Sequence, residues 1–316
     1  MARRAVVLMN LGAPDSLDAV RPFLTNLFSD PAIIALPGVL RWPLSRLIAW
    51  RRTPVAMDIY RHLGGGSPLL QNTEAQARAL EAVLGEGNRC FVAMRYWHPL
   101  TPAVVAAVKA WQPEEIVLLP LYPQFSTTTT ASSLAAWRAE AGRQKLERPT
   151  RAVETYPVAA GFISAVARRL RPAVEEMMAS GRPFRLLLSA HGLPLKIVAR
   201  GDPYPDQVAE TAQAVVAALG IPGLDWLVCY QSRVGPLAWL GPAVDDEIRR
   251  AGRDGVALVV APISFVSEHS ETLVELDRDY RRLAAEHGVP AYRRVSTVGT
   301  DSDFIAALAQ LVEAAE

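Results

Sequence analysis

Short apolar runs alternate along this chain with longer stretches in which apolar residues recur at helical spacing. The short runs predict strands at Ala5–Leu11, Cys90–Arg95, Ile116–Leu121, Phe184–Leu188, Trp226–Tyr230 and Val256–Ile263. Several of them are apolar throughout, which is typical of parallel strands buried on both faces. The longer stretches predict helices at Thr73–Leu84, Pro102–Trp111, Ser132–Ala141, Ala160–Ser180, Pro205–Leu219 and Pro242–Ala251.

Strand–helix alternation of this kind predicts right-handed βαβ units and therefore an α/β fold. The series occurs twice, so we expect two Rossmann-like domains, 1–155 and 156–316, each with a parallel sheet flanked by helices. The connection between them is placed around Ala152–Ala160. In such folds ligands bind beyond the carboxyl ends of the strands, so an active-site cleft between the domains is expected.

Polar or aromatic side chains follow each predicted strand. In the first half these are Asn10, Arg95-Tyr96 and Tyr122; in the second half they are His191, Gln231-Ser232-Arg233 and the segment from Ser264 to His269. Because the carboxyl ends of parallel strands meet at one edge of a sheet, these groups are expected to face the cleft.

The composition is that of an ordinary globular protein. The 316 residues are 50% hydrophobic and 21% charged, with a net charge of +1, which argues against disorder and against phosphate-led nucleic-acid binding. The two cysteines, Cys90 and Cys229, cannot form a four-thiolate metal site. No signal-peptide pattern and no window of about 20 apolar residues occurs, so we expect a cytoplasmic protein without a membrane span.

His191 is the first candidate for chemistry, because it follows the apolar run FRLLLSA and should stand at the carboxyl end of a buried strand. Histidine side chains titrate near neutral pH and suit proton transfer or metal ligation. The alternative is a hydrogen-bonded histidine of the core, which is the commoner role of a lone histidine. The position after the strand favours the functional interpretation.

An acidic series follows the last long strand, in the segment SEHSETLVELDRDY. If that segment is an α-helix, Glu271, Glu275 and Asp279 fall on one face and Glu268 lies one turn earlier. The ordinary explanation is an exposed acidic helix start, which the helix dipole favours. Because the series begins at the predicted cleft, it also predicts a path for a divalent cation.

The glycine run Gly64-Gly65-Gly66 is followed by Ser67 and has neither a Walker lysine nor a G-x-G-x-x-G partner, so a nucleotide site has weak support. We expect a close approach to a flat ligand or simply a turn. A broad apolar slot with cationic edges is predicted by the aromatic and arginine residues near the strand ends, namely Tyr60, Tyr96, Tyr122, Trp239, Phe265, Arg51, Arg52 and Arg95.

The segments that carry these features resemble, in order along the chain, those of the ferrochelatases, which insert ferrous iron into a porphyrin to make haem. They read VVLMNLGAPDS, RRTP…LGGGSPL, MRYWHP, LYPQFSTTTTASS, SAHGLP, YQSRVGPLAWLGP and PISFVSEHSETLVELDRDY, from Val6 to Tyr280. Each segment alone is modest, but the ordered set is specific. The resemblance implies two Rossmann-type domains with the porphyrin in the cleft, and insertion of iron into protoporphyrin IX to give haem b.

The resemblance also implies roles for individual residues. His191 would take pyrrole protons or ligate iron, and Glu271 would bind the metal or receive a proton from the opposite side. A metal or proton route would be formed by Glu268, His269, Glu275 and Asp279. The porphyrin would contact Arg52, Tyr60, Ser67 and Ser232 near its propionates or rim, and a pocket wall of Leu11, Arg95, Tyr96, Tyr122, Trp239 and Phe265.

Some ferrochelatases hold an iron–sulfur cluster through cysteines in a C-terminal extension and in the Ser-Thr-rich loop. Here that loop reads Ser126-Thr127-Thr128 and no cysteine follows Cys229, so we expect no permanently bound cofactor. Protoporphyrin IX and ferrous iron are the expected partners, without nucleic acid, and the protein is expected to be a monomer or weak dimer. The alternatives are a chelatase for coproporphyrin III or another tetrapyrrole and metal, a tetrapyrrole carrier without chemistry, and a two-domain binding protein.

The segment 28–50 is too apolar for an ordinary surface loop. It contains Ile33, Ile34, Leu36, Val39, Leu40, Trp42, Leu44, Leu47, Ile48 and Trp50. Its prolines, Pro31, Pro37 and Pro43, predict that it cannot form a long helix. We expect an apolar lip over the cleft that contacts the inner face of the cytoplasmic membrane peripherally, with arginines meeting anionic headgroups. The alternative is that these residues pack under the N-terminal domain.

Overall fold

The computed structural model describes residues 3–235 and 237–315, and its backbone contacts divide the chain into two compact units. The first unit extends to Thr155 and includes the chain from Leu308 onward; the second is Tyr156–Ala307. The sequence prediction placed all of 156–316 in the second domain, whereas the structure groups the last turns of the C-terminal helix with the first unit. Within the first unit, Arg4 forms an ion pair with Glu313 of that helix at 2.6 Å.

The first unit is a parallel sheet of order β2-β1-β3-β4 with helices around it. In chain order its elements are β1 (Arg4–Asn10), α1 (Val20–Phe28), α2 (Gly38–Arg61), α3 (Leu69–Leu84), β2 (Asn88–Met94), α4 (Thr101–Trp111), β3 (Glu115–Pro120), α5 (Thr130–Arg143) and β4 (Thr150–Ala152). The apolar run of β1 is buried because it lies between β2 and β3, with Val7 opposite Phe91 and Leu118.

The second unit repeats this arrangement with the order β6-β5-β7-β8. Its elements are α6 (Ala160–Ala179), β5 (Phe184–His191), α7 (Leu195–Val198), α8 (Tyr204–Leu219), β6 (Trp226–Gln231), α9 (Val244–Asp254), β7 (Ala257–Pro262), a π-helix (Glu271–Asp279), α10 (Tyr280–Glu286), β8 (Tyr292–Arg294) and α11 (Ser302–Ala314), which continues into the first unit. All six residues of β7 are buried, as its unbroken apolar run predicts.

The predicted α/β class is confirmed, and each predicted strand is present with its ends shifted by a few residues. The edge strands β4 and β8 were not predicted. Each has three residues, which is too short for a periodic pattern of hydrophobicity to be recognised.

The prediction that prolines prevent a long helix in 28–50 is wrong. α2 has 24 residues and contains Pro43 and Pro54 in its interior. A proline in a helix leaves the carbonyl four residues earlier without its backbone donor, and here those carbonyls belong to Val39 and Trp50. Both residues are exposed, at 83% and 59%, so water can hydrate the freed carbonyls. The buried face of α2, including Ala49 and Tyr60, packs against Val20 and Leu24 of α1.

The glycine run before α3 forms a tight turn against the segment that follows β1. Gly64 and Gly65 have φ of 81° and 105°, and the Ser67 N–H donates to Pro14 O at 2.8 Å. A Cβ on Gly66 would lie 2.4 Å from Asp15 O, so only glycine fits there. The glycine run therefore forms a turn in which Gly66 closely approaches the backbone of Asp15.

We predict that Gly66→Ala destabilises the protein by about 1–3 kcal/mol, because the backbone must shift to relieve the contact with Asp15. The matched control is Gly142→Ala in α5, where nothing lies within 4 Å of the added methyl group. Urea unfolding followed by fluorescence compares the two variants. Equal urea midpoints for the two variants would show that the turn accommodates the added methyl group without loss of stability.

Candidate functional site

The candidate site lies at the carboxyl ends of β5 and β7, where the strand order of the second sheet changes direction. The chain proceeds from β5 to β6 on one side and then to β7 on the other, so the connections leave these two strands in opposite directions. Such a switch point opens a crevice in which ligands bind. His191 ends β5, and the segment containing Glu271 follows β7.

The position of His191 is fixed by hydrogen bonds on both sides of the residue. Its N–H donates to Ser264 Oγ at 3.1 Å, and its Nδ1 lies 2.5 Å from Gly192 O. Because a carbonyl oxygen only accepts, Nδ1 carries a proton, and in the neutral imidazole Nε2 therefore presents a lone pair. The side chain is 41% exposed, so that lone pair is accessible to a substrate.

The Glu271 carboxylate is the centre of the cluster. Its Oε2 lies 3.7 Å from His191 Nε2, 4.0 Å from His269 Nε2 and 3.3 Å from Ser232 Oγ. The His269 ring is oriented like that of His191, since its Nδ1 lies 3.1 Å from Ser267 O. Two imidazole Nε2 atoms and one carboxylate oxygen therefore converge.

These converging atoms are all acceptors when both imidazoles are neutral. A proton shared between two such acceptors satisfies both of them. Imidazole with carboxylate is a donor set suited to iron(II) and to other first-row divalent metals. Among the described residues, no group of three or more His, Cys, Asp and Glu side chains could hold a metal ion.

Glu275 lies behind Glu271 and is held in place by donors. Its Oε1 accepts from the Ser232 N–H at 2.9 Å and from the Tyr280 hydroxyl at 3.0 Å, and its Oε2 accepts from the Ser232 hydroxyl at 2.5 Å. Burial raises the pKa of Glu275, and the neighbouring Glu271 charge raises it further. Ser232 adopts φ of 63°, a sparsely populated backbone conformation for a residue with a side chain.

The acidic segment is helical, as a shared face of its carboxylates requires, but Glu271–Asp279 is a π-helix and not an α-helix. Its wider turns use i→i+5 hydrogen bonds, as in the Tyr280 N–H to Glu275 O bond that ends it. Ser232 still contacts both Glu271 and Glu275, so these two carboxylates share a face. Asp279 is half-buried at the end of the π-helix.

Glu268 is engaged in an ion pair and not in the Glu271 cluster. Its Oε1 accepts from Arg294 Nη1 at 2.7 Å and from the Thr297 N–H at 2.9 Å. Of the acidic series, the structure therefore brings Glu271 and Glu275 together with His191 and His269.

Aromatic side chains border this cluster. The Phe265 ring lies 4.5 Å from the His269 ring, and Trp239 is held by a bond from its Nε1 to Val234 O at 3.2 Å. A Cβ on Gly192 would lie 2.8 Å from Gln231 O and 3.2 Å from the Trp239 ring. Glycine after His191 thus lets the Trp239 loop approach β5.

In the first unit, Arg95 and Tyr96 are bound to a buried aspartate. Asp30, 4% exposed, accepts from Arg95 Nη2 at 2.7 Å, from the Tyr96 hydroxyl at 2.8 Å and from the Ser132 hydroxyl at 2.5 Å. Hydrogen bonds from Ser132, the Ala32 N–H and Tyr96, together with the Arg95 charge, lower the pKa of Asp30 against the opposing effect of burial. Tyr96 itself is only 1% exposed.

The other residues assigned to the substrate in the first unit differ in exposure. Tyr60 and Tyr122 are buried, at 6% and 9%, and burial raises the pKa of the Tyr122 phenol. The half-buried members are Leu11, Arg52 and Ser67.

Sequence reasoning did not assign roles to Asp30, Tyr280 or Arg294. The tripeptide Ser29-Asp30-Pro31 is a turn signal, and the Ala32 N–H does bond to Asp30 Oδ1 at 2.8 Å. No sequence signal marks Arg294, because its partners lie 17 and 26 residues away.

Three comparisons with known proteins bear on this site. The sequence model described as Ferrochelatase matches residues 3–316. A protein named ferrochelatase from Caulobacter vibrioides is 54% identical over 98% of this chain and 89% of its own length, and one from Phenylobacterium zucineum is 55% identical over 97% and 89%. A solved structure of SirB from Bacillus subtilis with Fe3+ covers 98% of this chain and 94% of its own, with a TM-score of 0.55 and 14% identity, which shows a shared fold.

We predict that Glu275→Gln stabilises the protein relative to wild type as the pH rises. A carboxyl whose folded-state pKa is raised contributes stability below its ordinary value of 4.5 and loses it as the pH rises through the folded-state pKa. Glutamine removes the charge and keeps the acceptor for Ser232. Unfolding midpoints at pH 4.5 and 7.5 test this. If the difference in unfolding midpoint between Glu275→Gln and wild type is the same at both pH values, the raised pKa of Glu275 is contradicted.

Proposed function

Because this chain belongs to the ferrochelatase family, we propose that it inserts ferrous iron into protoporphyrin IX to form haem b, with His191 and Glu271 as the reacting pair. The chain is an enzyme that chelates iron into a porphyrin in haem synthesis. The proposal adds the identity of the porphyrin and the residues that act. The observation that carries it is the 3.7 Å separation of His191 Nε2 and Glu271 Oε2 at the switch point of the sheet.

Metal insertion requires a general base and a metal ligand close to each other. The pyrrole N–H protons must leave while the metal ion exchanges its water for nitrogen ligands. His191 can accept a proton at Nε2, because Nδ1 stays bound to Gly192 O throughout. Glu271 can stabilise the resulting imidazolium or bind the incoming iron.

We propose that Glu275 and His269 form the route that serves this pair. The Ser232 hydroxyl lies between the two carboxylates, 2.5 Å from Glu275 and 3.3 Å from Glu271. The raised pKa of Glu275 makes it a ready proton acceptor behind Glu271. Asp279 would continue the route toward solvent, while the remaining acid, Glu268, forms an ion pair with Arg294.

Porphyrin contacts are proposed for the aromatic and cationic residues at the strand ends. Rigid aromatic walls such as Trp239 and Phe265 favour a bent macrocycle, in which the nitrogen lone pairs point toward the metal. That is complementarity to the transition state and not merely tight substrate binding. Arg52 and Ser67 would bind the propionates.

We also propose that no iron–sulfur cluster is bound. Iron–sulfur clusters are ordinarily held by four cysteine thiolates, and the sequence has only Cys90 and Cys229. Neither thiol ionises easily, since burial raises the pKa of Cys229 and raises that of Cys90 to about 12.

We predict that His191→Ala lowers the rate of porphyrin metalation roughly 10²–10⁴-fold, because a general base is lost. Glu271→Gln should lower turnover far more than Glu275→Gln or Asp279→Asn, which should chiefly raise KM for the metal. Initial rates with ferrous iron and protoporphyrin IX measure these effects, with coproporphyrin III assayed beside it. Porphyrin binding, followed by fluorescence quenching, should persist in His191→Ala.

Several results would count against the proposal. Near-normal turnover of His191→Ala, or equal losses of turnover from Glu271, Glu275 and Asp279 variants, would remove the reacting pair. Faster metalation of coproporphyrin III would replace the proposed substrate.

A peripheral membrane contact is proposed for α2 and the turn before it. Large apolar side chains are exposed along this segment, including Val39 at 83%, Leu40 at 57%, Trp42 at 58% and Leu47 at 50%. The Arg46 guanidinium lies 4.1 Å from the Trp42 ring, a pairing of cation and aromatic group that suits an anionic headgroup layer. None of the described helices is long and apolar enough to cross a bilayer.

We predict that the triple variant Val39→Ser, Leu40→Ser, Trp42→Ser weakens flotation with anionic liposomes by more than about tenfold, since three apolar contacts with lipid are lost. The unfolding midpoint should not change, because these side chains are exposed. The matched control replaces Val83 and Met178, exposed at 56% and 53% elsewhere, by serine. Unchanged flotation of the triple variant, or equal loss in the control, would refute the membrane contact and with it the proposed site at the inner face of the cytoplasmic membrane.

A further inference from the structure

The edge strand β8 presents one face to the segment that carries Glu271. Its three residues alternate in direction, as strand residues do. The Tyr292 hydroxyl donates to Leu276 O inside the π-helix at 2.5 Å, and Arg294, two positions on, bonds to Glu268. Arg293 between them forms an exposed ion pair with Glu176 at 2.6 Å.

The Arg294 guanidinium reaches both ends of the π-helix. Nη1 lies 2.7 Å from Glu268 Oε1, three residues before the helix begins, and Nη2 lies 3.6 Å from Asp277 Oδ2, near its end. The side chain is only 11% exposed, so solvent screens these charges weakly. The backbone of Arg294 pairs with that of Val260 in β7, which fixes the residue to the sheet.

Glu271 lies in the first turn of the helix that Arg294 holds. A π-helix is rare, so its geometry depends on contacts from outside, and β8 supplies them through Tyr292 and Arg294. The position of the Glu271 carboxylate relative to His191 then follows from how the helix is seated on the sheet edge. A displacement of the carboxylate by about 1 Å is enough to cost a large part of the rate.

We propose that Arg294 is a positioning residue for metal insertion, which seats the π-helix so that Glu271 faces His191, and that Glu268 is its counter-ion. The inference rests on the proposed role of Glu271. Glu268 Oε1 already accepts from Arg294 and from the Thr297 N–H. To bind a metal through that oxygen, Glu268 would have to give up both bonds and leave the buried guanidinium without its closest anion.

The test compares Arg294→Gln, Glu268→Gln and Arg294→Lys with the control Arg293→Gln, which removes a neighbouring arginine on the opposite face of the same strand. Each variant is assayed for metalation of protoporphyrin IX over a series of ferrous iron concentrations, and its thermal unfolding is recorded. We expect roughly 10- to 100-fold lower kcat for Arg294→Gln and for Glu268→Gln, with KM for iron nearly unchanged. Arg294→Lys should recover part of the rate, and Arg293→Gln should behave as wild type.

A second comparison asks whether Arg294 acts through Glu271. The double variant Arg294→Gln, Glu271→Gln should be no slower than Glu271→Gln alone, because there is no longer a carboxylate to position. Multiplied losses in the double variant would mean that Arg294 acts elsewhere. If Arg294→Gln does not fold, Glu268→Gln carries the test, since it removes the same ion pair from the other side.

The outcomes separate this inference from the proposed function. Wild-type turnover of Glu271→Gln would refute the proposed function, and the role of Arg294 would fall with it. If Glu271→Gln lowers kcat but Arg294→Gln has the same kcat as Arg293→Gln, only the positioning role of Arg294 is overturned. A Glu268→Gln variant whose loss lies in KM for iron would overturn the counter-ion assignment and make Glu268 a metal ligand.

Discussion

The proposed reaction depends on two atoms that the fold holds close together, an imidazole nitrogen and a carboxylate oxygen. His191 Nε2 and Glu271 Oε2 are 3.7 Å apart, and the bond from Nδ1 to Gly192 O keeps the imidazole lone pair directed at the carboxylate. In water two such groups would each turn toward solvent donors. The folded protein keeps them together because His191 ends one strand and Glu271 follows the neighbouring strand of the same sheet. In the proposed reaction this pair receives the pyrrole proton or binds the incoming ferrous ion.

Two other acidic residues of the same segment, Glu275 and Glu268, lie in different electrostatic environments. Glu275 is buried, next to Glu271, and its pKa is raised, so it holds a proton more readily than an ordinary glutamate. Glu268 is instead matched to the Arg294 guanidinium. The acidic residues of one short segment therefore have different electrostatic environments, which a count of carboxylates does not distinguish.

The fold class and much of the site could be predicted from the sequence. Buried parallel strands are apolar throughout, so their runs stand out, and His191 follows such a run directly. The errors have local physical causes. Pro43 was expected to stop a helix, but α2 continues through it, and the carbonyl that loses its donor belongs to Val39, a residue that is 83% exposed. The acidic segment is helical, but its π-helical form could not be predicted from the sequence, since an α-helix and a π-helix both bring residues four apart to similar faces.

By itself the sequence determined the six longer strands to within a few residues and the polar residues that follow them, because these follow from local hydrophobic runs. It also carried the ordered motifs of the ferrochelatase family. Tertiary structure alone decided the partners of those residues. Asp30 joins Arg95 and Tyr96 across 65 and 66 residues, and Arg294 returns to Glu268 across 26. Such pairings depend on the order of strands in the sheet and on how the helices pack against it. Ion pairs between distant residues produce no periodic pattern in the sequence.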